Sequence, residues 1–132
     1  MSDAVKSVTA AFCALFGYLF GAFDGMMTAL ITLIVLDYIT GIIAAVVEKK
    51  LSSEVGARGI AKKVIMLLVV AVANIADRSV IGEGNVLRSV TAMFYIANEG
   101  ISLLENGARL GVPMPKKLID VLAQLKKEGN AL

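Results

Sequence analysis

The chain has 132 residues, 58% of them hydrophobic and 18% charged, with a formal net charge of +2 and a mean hydropathy of +0.79. A water-soluble domain of this size has too little interior for so much apolar side chain, so the composition weighs against a soluble fold and points to an integral membrane protein. There is no histidine and one cysteine, Cys13, which excludes a histidine-based triad, a histidine-bound metal and an internal disulfide.

The first apolar segment, VTAAFCALFGYLFGAF (8–23), is uncharged. As a helix it rises about 24 Å, short of a hydrocarbon core of about 30 Å, and extension back to Val5 nearly closes the gap. It reads as a spanning helix over 5–23, with an interfacial or re-entrant helix as the alternative. A signal peptide is disfavoured by the weak basic flank and the lack of a small-residue cleavage site. Gly17, Gly21 and Gly25 form a double G-x-x-x-G, a spacing that admits a second helix closely inside lipid.

The second segment, 26–47, is long enough for a full span. The third starts after Lys62 and Lys63 and runs over 64–81, crossing Asp77 and Arg78. The fourth covers 86–105, with Arg88 near one end and Glu99 inside. The links are short, so sequential helices are expected to be antiparallel. After Pro113 and Pro115 the pattern changes. Leu118, Ile119, Leu122 and Leu125 recur at helical steps among charged residues, predicting an amphipathic helix over 115–128 that lies on the anionic inner leaflet or packs on a partner copy. The expected architecture is all-α. It is one membrane domain over 1–132, a bundle of three to four transmembrane helices plus a C-terminal amphipathic cytoplasmic helix.

Basic residues set the orientation. Lys49, Lys50, Arg58, Lys62 and Lys63 fall in the 48–63 link, and Arg109, Lys116, Lys117, Lys126 and Lys127 in the tail. Two intervening spans put both groups on one side, which the positive-inside rule makes cytoplasmic. The second and later helices keep their direction whether the chain crosses three or four times.

Several polar side chains interrupt the apolar segments. A charge at the centre of a membrane helix costs at least about 2.5–3.5 kcal/mol, so each needs an explanation. Counting from Glu48, Lys63 and Glu105 as helix ends puts Asp37, Asn74 and Tyr95 near one level, about 16 Å deep. This predicts a hydrogen-bonded trio with Asp37 protonated. Gly41 shares the Asp37 face, and Asn98 and Glu99 form a second polar layer. Arg88 is a candidate partner for Asp24 or Asp77. These groups read either as glue for a compact bundle or oligomer, or as a pore lining.

Four stretches in order, LDYITGIIAA (36–45), GIAKKV (59–64), YIANEGISLLEN (95–106) and GVPMPKKL (111–118), resemble the small holins of phage lysis and clostridial toxin-secretion loci. The resemblance covers roughly 30–127 and leaves out the first apolar segment. It carries Asp37, Gly41, Lys63, Asn98, Glu99, Asn106, Pro113 and Pro115. It implies a homo-oligomer in the bacterial cytoplasmic membrane that opens lesions and releases an endolysin or toxin without needing to touch it. It implies no catalytic residue, cofactor, metal or nucleic acid. The competing readings are a small channel or transporter subunit and a non-conducting antiholin or scaffold. An enzyme is disfavoured, because no nucleophile–base pair, metal-ligand spacing or phosphate loop is visible.

Overall fold

Small polar side chains at three positions determine where helices begin. In the computed structural model, which describes residues 2–130, Ser2 Oγ accepts from the Val5 N–H, Asp24 Oδ1 from the Met27 N–H, and Ser52 Oγ from the Val55 N–H. Each satisfies an N–H that a helix start leaves without an intrahelical partner. The helices are α1 (Asp3–Phe20), α2 (Gly25–Val47), α3 (Ser53–Ile75), α4 (Val86–Arg109) and α5 (Lys116–Asn130). A π-helical segment, Ala76–Ile81, continues α3 without a break. No strand occurs among the described residues.

Three helices, α1, α2 and α3 with its π extension, are long and apolar enough to cross a membrane. The fourth expected span is not among them. Although α4 has 24 residues, it carries Arg88, Asn98, Glu99, Glu105, Asn106 and Arg109 along its length. It packs chiefly between α2 and α5. The third expected segment also shifts. Its helix starts at Ser53 rather than after Lys63, so the link is only 48–52 and Arg58, Lys62 and Lys63 lie on α3.

The apolar core is a cluster of Phe20, Met27, Leu30, Ile34, Val70, Ala71 and Ala92, flanked by Leu67, Tyr95 and Ile96. Large apolar side chains also cover the outside, among them Phe12 at 70% exposure, Val72 at 66% and Ile65 at 58%. Meanwhile Asp37, Asn74, Asp77, Arg88, Glu99 and Asn106 are buried. Charge inside and oil outside is a distribution that lipid tolerates and water does not.

After Gly111 the chain reverses and α5 lies antiparallel along α4. A Cβ on Gly107 would meet Met114, one on Gly100 would meet Leu122, and one on Gly129 would come within 2.8 Å of Phe94. The tail helix therefore docks on its own chain, an arrangement that neither sequence alternative included.

The glycine stripe Gly17–Gly21–Gly25 does not form, because α1 ends at Phe20 and the three residues do not share a helix. Gly21 caps α1 at φ 77°, ψ −155°, a conformation essentially reserved for glycine. Its Cα side faces Asn74 Oδ1 and Arg88 Nε, at 3.0 and 3.2 Å from where a Cβ would sit. Around Gly17 and Gly25 such an atom would meet nothing within 4 Å. Gly21→Ala is therefore expected to cost about 1–3 kcal/mol by thermal unfolding in micelles. Gly17→Ala, inside a helix with open space, should be neutral or stabilising. Equal losses at both positions would restore the stripe.

Candidate functional site

Along α2 the order is Asp24, then core residues Met27, Leu30 and Ile34, then Asp37. Along α4 it is Arg88, Ala92 and Ile96, then Glu99. Helix α3 runs the other way, from Lys63 through Leu67 and Val70 to Asn74 and Asp77. The three helices thus carry polar residues at two levels, about 16–21 Å apart, with the apolar core between them.

At the first level the Lys63 ammonium lies between two carboxylates. It donates to Asp37 Oδ2 and, at 2.5 Å, to Glu99 Oε2. The Asp37 and Glu99 side chains are 6% and 2% exposed, and that of Lys63 is 17% exposed. Asn106 Nδ2 donates to Asp37 Oδ1 at 2.9 Å, to its backbone carbonyl at 3.2 Å and to Thr40 Oγ1 at 2.9 Å. Gly41, one turn on from Asp37, lies beside that amide, and a Cβ there would make an ordinary van der Waals contact 3.6 Å from Asn106 Nδ2. Arg109 pairs with Glu48 and donates to Asn106 Oδ1, joining the cluster to the nearby helix ends. Three helices are thereby linked through one shared ammonium.

At the second level Arg88 is buried at 3% exposure and gathers the far links. Its guanidinium donates to the Phe20 and Ala22 carbonyls at 2.6 and 2.8 Å and to both Asp24 oxygens, the shorter contact being 3.0 Å. Asp77, on the π segment, accepts from the Leu87 and Arg88 backbone N–H groups at 3.1 and 2.8 Å and so caps α4. Asn74 Nδ2 donates to the Tyr18 and Leu19 carbonyls at the end of α1. Every buried side-chain N and O among the described residues has a partner. The Arg88 guanidinium, helped by the Met27 N–H, holds the Asp24 carboxyl below the ordinary carboxylate range.

The trio expected from sequence is thus rearranged. Asp37 meets Lys63, Glu99 and Asn106, whereas Asn74 belongs to the opposite level and Tyr95 packs on the apolar core beside Phe94. Asn98 is half-buried and makes no side-chain hydrogen bond among the described residues. Each misplacement comes from a helix end: α3 starts ten residues before Lys63, which shifts Asn74, and α4 ends at Arg109 rather than at Glu105, which shifts Tyr95. With those ends, Asp37, Lys63 and Glu99 each lie about 15 Å from a helix terminus on the same side. Lys63, expected as a loop cation, is the missing partner. The signal for it was Ser52 followed by Glu54, a helix-start pattern upstream of the lysines. The other basic residues, Lys49, Lys50, Arg58, Lys62, Lys116, Lys117, Lys126 and Lys127, lie outside the cluster, and Arg58 pairs on the surface with Glu54.

A profile of the bacteriophage holin family matches residues 14–127. The chain is 39% identical over 95 residues to a Bacillus phage phi105 protein called a probable holin, covering 72% of this chain and 70% of that one. It is 43% identical over 122 residues to an uncharacterized Listeria monocytogenes protein, covering 92% and 86% of the two chains. It is also 48% identical over 93 residues to an uncharacterized protein in the nagH 3′ region of Clostridium perfringens, covering 70% of each. No solved structure matches.

Removing one partner from a buried ion cluster leaves the others uncompensated, whereas replacing the whole cluster by neutral groups does not. Lys63→Met is therefore expected to lower stability in micelles by about 3–5 kcal/mol. Adding Asp37→Asn and Glu99→Gln should restore most of that loss, and a triple variant no better than the single one would refute the shared-ammonium account. The Asp24 pair predicts the acid side. A carboxyl held below its unfolded value stabilises the fold above that value, and the contribution disappears as pH falls through the folded one. Wild-type protein should thus lose stability on acidification more steeply than Asp24→Asn, as read by melting temperature against pH.

Proposed function

Because the chain belongs to the bacteriophage holin family, we propose that this multi-pass membrane protein is itself a holin. In this reading it accumulates in the host cytoplasmic membrane, associates with copies of itself and opens lesions. A cytoplasmic endolysin, or a toxin, then reaches the cell wall without having to bind it. The basic residues Lys49 and Lys50 of the 48–52 link, with Arg109, Lys116 and Lys117 at the α4–α5 turn, support a cytoplasmic side for that end of the bundle.

The observation that carries the reading is the ion cluster on three helices of a bundle that is apolar outside. Lipid-facing apolar surface disperses single copies, while an internal set of one cation and two carboxylates can exchange partners with a second copy at little net loss of pairing. A unit charge that crosses the membrane field couples to it by about 2.3 kcal/mol per 100 mV, so collapse of the potential can tip such an exchange. The flank of α4 covered by α5 supports the same reading. It brings Lys116, Lys117, Asp120, Lys126 and Lys127 beside an otherwise lipid-compatible bundle. Hydrocarbon does not solvate that flank, but water or headgroups do. Copies that turn these flanks toward each other would border an aqueous opening.

Expression of the chain beside a cytoplasmic endolysin is expected to give abrupt lysis after a delay, with the enzyme released. A steady ion leak without enzyme release would favour a channel, and no lysis would favour an antiholin or scaffold. Asp37→Asn and Glu99→Gln are expected to change the delay. Unchanged timing would reduce both carboxylates to packing groups.

A further inference from the structure

Between α2, α3 and α4, at the end where the 48–52 link lies, an open cavity of about 470 Å³ leads from the surface toward the ion cluster. That size falls within the range of small-molecule sites. Lys50, Lys62, Lys63 and Arg109 line it together with one carboxylate, Asp37, and with Ser102, and Ile42 and Val55 give it an apolar wall.

Cations outnumber carboxylates here: Lys50, Lys62, Lys63 and Arg109 stand against Asp37, Glu99 and Glu48, a surplus of one positive charge. Lys63 is taken up by Asp37 and Glu99, Arg109 pairs with Glu48, and the neighbouring Glu54 pairs with Arg58. Lys50 and Lys62 have no carboxylate partner among the described residues, although both line the same cavity. Lys62 is nine residues into α3, about 13 Å from its start, and a lysine there extends its ammonium toward the interface along the helix. Two unpaired ammonium groups beside a serine hydroxyl and an apolar wall form an amphipathic receptor for an anion.

We propose that this cavity binds a phosphate group, which in a bilayer is the phosphodiester of an anionic phospholipid. The ammonium groups of Lys50 and Lys62 take its charge, and the Ile42–Val55 wall receives the glycerol and the first acyl carbons. Basic pockets between helices at a membrane surface suit such headgroups. The assignment does not depend on lesion formation.

The full chain in phosphatidylcholine nanodiscs doped with phosphatidylglycerol tests it by native mass spectrometry of retained lipid. A second arm titrates inorganic phosphate into phosphatidylcholine nanodiscs. Each lysine near an anionic group is worth about fivefold in affinity, so Lys50→Gln with Lys62→Gln is expected to weaken phosphatidylglycerol retention about thirtyfold. Lys126→Gln with Lys127→Gln removes the same charge elsewhere and should leave retention unchanged. Phosphatidylglycerol retention that follows this pattern supports the site with a lipid ligand. Inorganic phosphate binding lost only in the Lys50/Lys62 variant supports it with a soluble ligand. Equal weakening in both double variants, or binding of neither ligand, overturns it.

Discussion

One ammonium shared by two carboxylates holds α2, α3 and α4 at a common level. The Lys63 bonds to Asp37 and Glu99 form well away from the helix ends, where a single charge facing hydrocarbon would cost at least about 2.5–3.5 kcal/mol. The ammonium offsets the carboxylates and they offset it, so neither sign of charge is left without a partner at that depth. That mutual requirement fixes which faces of the helices turn inward, and the apolar remainder of each helix is left facing out. Asn106 extends the constraint to the backbone by bonding both the Asp37 carboxylate and its carbonyl.

The second level solves a different problem. Chain reversals at 21–24 and 82–85 expose backbone groups that lipid cannot satisfy. Arg88 takes two of those carbonyls, Asp24 neutralises it, and Asp77 supplies the cap that α4 lacks from Asn85. The π segment at 76–81 carries Asp77, so that side chain faces α4 from a continuous helix rather than from a loop. Two polar levels separated by a short apolar core restrain sliding as well as rotation, because either motion would break partners at both ends together.

Much of this was legible in the residues. Hydropathy identified the helical membrane class, and the expense of intramembrane charge singled out Asp37, Glu99 and Arg88, the last with Asp24 or Asp77 as its partner. Lys63 was hidden because hydropathy treats a double lysine as a boundary. It cannot separate a cation at a helix end from one ten residues inside. That error moved Asn74 to the wrong level, and Tyr95 was misplaced separately because α4 runs on to Arg109. The glycine spacing at 17, 21 and 25 misled for a related reason: a stripe exists only if the helix continues, and Gly21 itself ends it. The docking of α5 on α4 was only half visible, since an amphipathic pattern shows that one face will be covered but not by what. The family match over 14–127 takes in both polar levels and most of α5.

Solid-state NMR of the protein reconstituted in bilayers, measuring the dipolar coupling from the Lys63 side-chain nitrogen to the carboxyl carbons of Asp37 and Glu99, reaches this interaction directly. Both couplings should correspond to separations within about 4 Å, the reach of an ion pair. A Lys63 nitrogen coupled to neither carbon would contradict the arrangement from which the bundle and its proposed switch have been derived.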